Sequence, residues 1–281
     1  MNDLLLPPLN IPELLQQYNL RPSKGLGQNF LQDNQALQKI VSVADLGPED
    51  VVLEIGPGLG SLTRYLALSA RSVTAVELDR KLFPALNVIL APYKNVHLVQ
   101  GDILKIDPAE IIENTGYVVI ANIPYYITSI VIRHLLEAHP RPSRMVLTIQ
   151  KEVAERICTG PGKMSLLALS VQVYGKPVIG DIINAGAFYP RPKVDSAVLC
   201  VELFPQPVIP TDKLGIFFTI IKAGFSQKRK TLRNALSGGL RIAPVQSEAL
   251  LSVAGIDPKR RAETLSLEEW GKLVSEYPIS K

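Results

Sequence analysis

The chain has 281 residues, which at about 150 per domain predicts one large domain or two unequal ones, with room for a sizeable core. Hydrophobic residues make up 47% and charged residues 20%, with no residue type dominating, so disordered, collagenous and disulfide-framework classes are excluded. Thirty Lys and Arg against 26 Asp and Glu leave a net charge of +4, which permits an anionic partner without demanding one.

Short β-branched runs at 51–55, 73–76, 96–99, 118–121 and 145–149 are of strand length and nearly all apolar, as strands covered on both faces are. Between them, 62–69, 81–90 and 129–138 repeat apolar residues at helical spacing, which predicts parallel strands joined by crossover helices in a doubly wound α/β sheet. After Ile149 the rhythm changes. Residues 151–158 read as a helix and 159–162 as a loop. The runs 166–174, 178–185 and 194–204 then read as strands without helix-length spacers, an antiparallel edge to the sheet. Pro205, Pro207 and Pro210 mark a boundary, and from Thr211 the periodicity is helical. The predicted division is 1–208, the sheet domain with an N-terminal extension, and 209–281, a small C-terminal helical domain.

Cys158 and Cys200 stand 42 residues apart with no Cys-x-x-Cys spacing, and only His97, His134 and His139 are available to join them. Two reduced, buried thiols and no metal site are expected. The start MNDLLLPPLNIPELL has no Lys or Arg before its apolar stretch, carries Asp3 and is broken by Pro7 and Pro8, so it does not read as a signal peptide. The longest uncharged apolar stretch, 117–132, is interrupted by Asn122 and Pro124 and is too short to span a bilayer. A soluble, cytoplasmic protein is expected.

The first strand runs into Glu54-Ile55-Gly56-Pro57-Gly58-Leu59-Gly60 ahead of a helix. Glycines there permit positive φ and close approach of a ligand to the backbone, at the carboxyl end of a strand where open α/β sheets bind ligands. A P-loop needs Gly-Lys-Ser/Thr, which is absent, and the dinucleotide pattern Gly-x-Gly-x-x-Gly fails by one residue. Glu77 closes the second strand, 23 residues after Glu54, where a carboxylate can accept both hydroxyls of a ribose. Asp102 ends the third strand, placed to meet an adenine edge. Three acids at successive strand ends repel a pyrophosphate but suit an adenosine-bearing cation, namely S-adenosylmethionine. A solvated strand-end carboxylate is the alternative for any one of them alone.

The fourth strand ends in Ala121-Asn122-Ile123-Pro124-Tyr125-Tyr126. An exocyclic adenine amine is a poor nucleophile because its lone pair is delocalised, so a catalyst must hold it with acceptors. The Asn122 side-chain oxygen and the Ile123 carbonyl suit that task, and Pro124 fixes the turn and removes a competing donor. Tyr125 is placed to stack on a base that is single-stranded or flipped out. In isolation an Asn-x-Pro turn after a strand is also common.

With Gln28-Asn29-Phe30-Leu31 and Phe188-Tyr189-Pro190-Arg191-Pro192-Lys193-Val194-Asp195-Ser196, these motifs resemble the rRNA adenine N6,N6-dimethyltransferase family, over nearly the whole chain from about Leu20 to Glu269. Within it the likeness is to the small-subunit enzymes, known as KsgA or RsmA in bacteria. The resemblance implies a Rossmann-like class I methyltransferase sheet, parallel with an antiparallel edge. It implies that Asn29, Leu31, Gly56, Glu77, Asp102 and Asn122 bind S-adenosylmethionine, that Asn122 and Tyr125 are catalytic, and that Phe188 closes on the other face of the target base. On the residues alone, Phe188 reads equally well as a core residue. DNA adenine N6 and glutamine methyltransferases usually carry a second proline where Ile123 stands.

Residues 213–247 carry Lys213, Lys222, Lys228, Arg229, Lys230, Arg233 and Arg241 and no acid, which suits a phosphate-contacting surface or a solvated basic helix face. Of these, Lys222, Lys228, Arg229, Lys230 and Arg233 are the expected RNA contacts. The runs 224–234 and 261–266 resemble the small-subunit members. That implies dimethylation of two adjacent adenines in the 3′-terminal hairpin loop of 16S rRNA, within an immature small subunit, by a monomer that needs no membrane. The alternatives are a 23S rRNA dimethyltransferase of the macrolide-resistance type and a non-catalytic ribosome-assembly factor on the same fold.

Overall fold

The computed structural model describes residues 6–112 and 116–278; residues 1–5, the start of the stretch that does not read as a signal peptide, lie outside them. The described chain opens with helix α1 (Ile11–Gln17), whose cap Asn10 accepts the Glu13 N–H on its side chain and whose first turn holds Pro12. An irregular segment leads to β1 (Phe30–Leu31), followed by α2 (Asn34–Ala44), capped by Asp33.

The five β-branched runs are β2 (Val51–Ile55), β3 (Ser72–Glu77), β4 (Val96–Gln100), β5 (Val118–Asn122) and β6 (Arg144–Gln150). They pair in parallel, joined through α3 (Ser61–Ser69), α4 (Phe83–Leu90), α5 (Pro108–Ile111) and α6 (Thr128–Glu137). Val52, Leu53, Val119 and Ile120 are wholly buried, which is why the central strands do not alternate apolar with polar residues.

Beyond β6 come α7 (Lys151–Ile157), α8 (Leu166–Gln172), β7 (Gly175–Ile183), the two-residue β8 (Phe188–Tyr189) and β9 (Ser196–Leu203). The large sheet has the order β4-β3-β2-β5-β6-β9-β7, and β9 lies antiparallel to β6, the expected edge. Separately, β1 and β8 form a two-stranded antiparallel ribbon. The predicted strand at 166–174 is instead the helix α8. Ser165 caps it by accepting the Ala168 N–H, and Ala168, Leu169 and Val171 bury one side. In so short an apolar run, Leu and Ala propensity and the cap decide against a strand.

Two compact units emerge, 1–154 with 178–203, and 155–177 with 204–281. Residues 155–174, with α8, therefore fall with the tail, and the division of the units cuts through β7. The N–H groups of Gly162 and Met164 both donate to the Glu263 carbonyl, at 3.0 and 3.1 Å, and the Val208 N–H donates to the Val173 carbonyl at 2.9 Å. The rest of this unit is α9 (Leu214–Phe225), α10 (Leu232–Leu240), α11 (Pro244–Val253) and α12 (Leu267–Glu276), around the fully buried Trp270, Phe217, Leu236 and Leu251. The backbones of α9 and α10 touch at Gly239, where a Cβ would lie 2.5 Å from the Ala223 Cα. Cys158 and Cys200 are free thiols but only partly buried: Cys158 directly follows the last residue of α7, and Cys200, inside β9, packs against the core from a half-buried position. Among the described residues no helix is long and apolar enough to cross a membrane.

Candidate active site

The carboxyl ends of β2, β3, β4 and β5 converge on one cavity, the position at which open parallel sheets bind ligands. The glycine loop after β2 forms its floor. Gly58 has φ +62°, and a Cβ there would stand 2.9 Å from Cδ1 of the Phe30 ring, so no other residue fits between the loop and β1.

Glu77, at the end of β3, is buried, and its carboxylate accepts the Gly58 N–H on Oε2 at 3.1 Å and the Asp79 N–H on Oε1 at 2.8 Å. Burial pushes its pKa up, and the two N–H donors oppose that shift. Each oxygen keeps a lone pair for a further donor. Glu54 is 1% exposed, with Oε2 unpartnered among the described residues. Burial, reinforced by the nearby Glu77 carboxylate, raises its pKa from 4.5 to about 8. At neutral pH Glu54 is therefore a neutral acid. Asp102 is partly exposed, and its Oδ1 caps the following turn by accepting the Leu104 N–H.

The segment before β1 forms a second wall. The Gln28 amide joins it to the β3 exit, accepting the Ser23 N–H at 2.7 Å and donating from Nε2 to Asp79 Oδ2 at 2.9 Å. The Asn29 carbonyl accepts a bond from Asn122 Nδ2 at 3.1 Å, and Asn122 Oδ1 has no hydrogen-bond partner among the described residues. In the β1–β8 ribbon Leu31 pairs with Phe188 and Phe30 with Tyr189. Phe188 is 3% exposed and contributes both to the hydrophobic core and to the cavity wall.

At the end of β5 the Ile123 N–H donates to the Thr148 carbonyl, Pro124 follows, and Tyr125 reaches Ser196 Oγ with its phenol at 2.9 Å. Burial raises the Tyr125 pKa, against the Ser196 bond, so the phenol stays protonated at neutral pH. Asn29, Leu31, Gly56, Glu77, Asp102, Asn122, Tyr125 and Phe188 thus all line this cavity. An unpaired buried carboxyl oxygen, a loop that has no room for a Cβ at Gly58 and a carboxylate with spare acceptor capacity fit an adenosine-bearing cation such as S-adenosylmethionine.

In the helical unit, Lys222, Lys228, Arg229 and Lys230 are exposed, near the end of α9 and in the turn after it. Arg233 is held by Glu248 at 2.9 Å, an acid one residue beyond the acid-free stretch 213–247. Sequence reasoning also missed the Gln28–Asp79 and Tyr125–Ser196 bonds. Their partners are 51 and 71 residues apart, and only strand order brings them together. Among the described residues no group of three or more His, Cys, Asp or Glu side chains is arranged to hold a metal ion.

Residues 19–278 match the family model described as ribosomal RNA adenine dimethylase. The chain is 49% identical over 267 residues to the ribosomal RNA small subunit methyltransferase A of Dehalococcoides mccartyi strain CBDB1, covering 94% of this chain and 91% of that one. It is 41% identical to the protein of the same name in Alkaliphilus metalliredigens, covering 98% of each. Among solved structures, a dimethyladenosine transferase from Plasmodium falciparum superposes with a TM-score of 0.72 at 26% identity, over 88% of this chain and 96% of that one. The 23S rRNA methyltransferase ErmE gives 0.71 at 29% identity, over 88% and 99%.

Proposed function

The chain belongs to the ribosomal RNA adenine dimethylase family, and from that premise we propose that it dimethylates N6 of two adjacent adenines in the 3′-terminal hairpin loop of 16S rRNA. It acts as a cytoplasmic monomer on the immature small subunit. The observation that carries this reading is the Asn122–Asn29 bond, which occupies the Asn122 amide nitrogen and leaves its oxygen as the acceptor of a residue that lines one cavity with Glu77, Asp102, Tyr125 and Phe188.

S-adenosylmethionine, when bound, supplies an electrophilic methyl group. Asn29, Leu31, Gly56, Glu77, Asp102 and Asn122 would hold it, Glu77 through its remaining lone pairs and Gly56 through partly exposed backbone, its N–H being taken by the Val76 carbonyl. Asn122 Oδ1 and the Ile123 carbonyl accept the N6 hydrogens of the adenine, which keeps the amine turned and desolvated. Tyr125 and Phe188 take the two faces of the extruded base and replace the stacking it has lost. The attacking nitrogen needs no base to deprotonate it first, because its proton can leave after it has become cationic. Catalysis is then chiefly positioning.

Lys222, Lys228, Arg229 and Lys230 meet RNA phosphates, with Arg233 contributing the guanidinium nitrogens that Glu248 leaves free. The small-subunit substrate is favoured over the 23S alternative because identity to the small-subunit relatives reaches 49%, against 29% to ErmE. A non-catalytic factor is disfavoured because the donor-side and base-side residues are all present around one cavity. The test is transfer of labelled methyl to unmethylated small subunits, beside large subunits and DNA, with nucleoside mass analysis. Dimethyladenine confined to the small subunit is expected. Label in 23S rRNA, or tight binding without transfer, would overturn the proposal.

A further inference from the structure

Tyr125 and Phe188 line the same cavity, and both are tied to one dipeptide, Asp195-Ser196. Ser196 begins β9, is wholly buried, and stands opposite Gln150 in the register with β6. Its Oγ lies 2.9 Å from the Tyr125 phenol oxygen. One residue earlier, Asp195 Oδ1 accepts the Ala185 N–H at 2.9 Å, at the start of the short 3₁₀ turn 185–187 that runs directly into Phe188. The Asp195 carbonyl accepts the Lys151 N–H at 3.1 Å, which pins the dipeptide to the end of β6. Both aromatic sides of the cavity therefore hang from adjacent residues at the root of one rigid strand.

Packing alone leaves a tyrosine ring at a cavity wall free to tilt, whereas a hydrogen bond at its far end fixes the ring plane. We infer, on the reading of this cavity as an adenine site, that Asp195 and Ser196 are positioning residues. They set the separation and tilt of Tyr125 and Phe188, so that a flat base enters with its exocyclic amine at Asn122. A hydroxyl bonded merely because it is buried would predict lost stability with unchanged turnover, and that difference makes the inference testable.

The experiment is a double-mutant cycle on methyl transfer to small subunits. Ser196→Ala is expected to lower kcat on the order of ten- to a hundredfold with donor KM unchanged, as a misplaced reacting group does. In the Tyr125→Phe background, which has already lost the phenol, Ser196→Ala adds nothing further. Asp195→Asn keeps the acceptor and should restore the turnover that Asp195→Ala loses. Equal losses in both backgrounds would overturn the inference. So would parental kcat in Tyr125→Phe, a variant that keeps the ring and decides the matter even where Ser196→Ala does not fold. A readout without turnover separates this inference from the reaction itself. With ¹³C-labelled tyrosine, the Tyr125 titration is expected to move to higher pH in Ser196→Ala, because the Ser196 bond opposes the upward shift caused by burial. An unmoved titration would overturn the inference, whereas a parent that methylates nothing would overturn the proposed reaction only.

Discussion

Asn122 uses one end of its amide to grip the Asn29 carbonyl and leaves the other end as an acceptor in the cavity. Asn122→Ala removes both, so methyl transfer should fall below detection while subunit binding, measured by sedimentation, stays within about twofold of the parent. Retained transfer would remove the assignment. Glu54 gives a second prediction, from its pKa of about 8 against an ordinary 4.5. The unfolded chain releases this proton near 4.5 and the folded protein keeps it to about 8, so its contribution to stability is fully present below 4.5 and is lost as pH rises through 8. Glu54→Gln does not titrate. Its Tm relative to the parent should therefore climb between pH 5 and 8, and parallel Tm curves would contradict the burial argument. Glu77, Asp102 and Asn122 were legible at this scale because strand ends can be counted along the chain. The protonation of Glu54 was not, since it depends on neighbours that the fold brings from elsewhere.

Helix α1 shows what an element can do at a distance. Ile11 and Leu15 are buried beside Leu59 of the glycine loop and Phe30 of β1, in a cluster completed by Leu82, Leu86 and Leu90. Ile11→Ala should cost about 2–5 kcal/mol of stability. Because the same cluster backs the glycine loop, calorimetry should also show weaker binding of S-adenosylhomocysteine, and unchanged affinity would separate the helix from the loop. The parallel strands and crossover helices were legible because long apolar runs and helical spacing report burial directly. The helix α1 was not, being a single seven-residue stretch in a proline-rich segment, and α8 was misread because a short apolar run has no period to measure. The β1–β8 ribbon, of two residues a side, left no pattern at all.

Over the whole molecule the net charge is only +4, so the exposed Lys228-Arg229-Lys230 turn matters by its placement and not by its sum. Changing all three to Ala should weaken subunit binding and flatten the log–log salt dependence by about 2 to 3, the slope expected for three lost phosphate contacts. An unaltered slope would move the RNA surface elsewhere. The order of the large sheet has one more consequence. β9 lies between β6 and β7, yet it is made after both of them. During synthesis the outer edge of β6 therefore stays open, with its backbone donors and acceptors unpaired, until residue 203 has left the ribosome. The nascent chain passes through a sticky interval set by strand order alone, and the same strand that ends it delivers Ser196 to Tyr125.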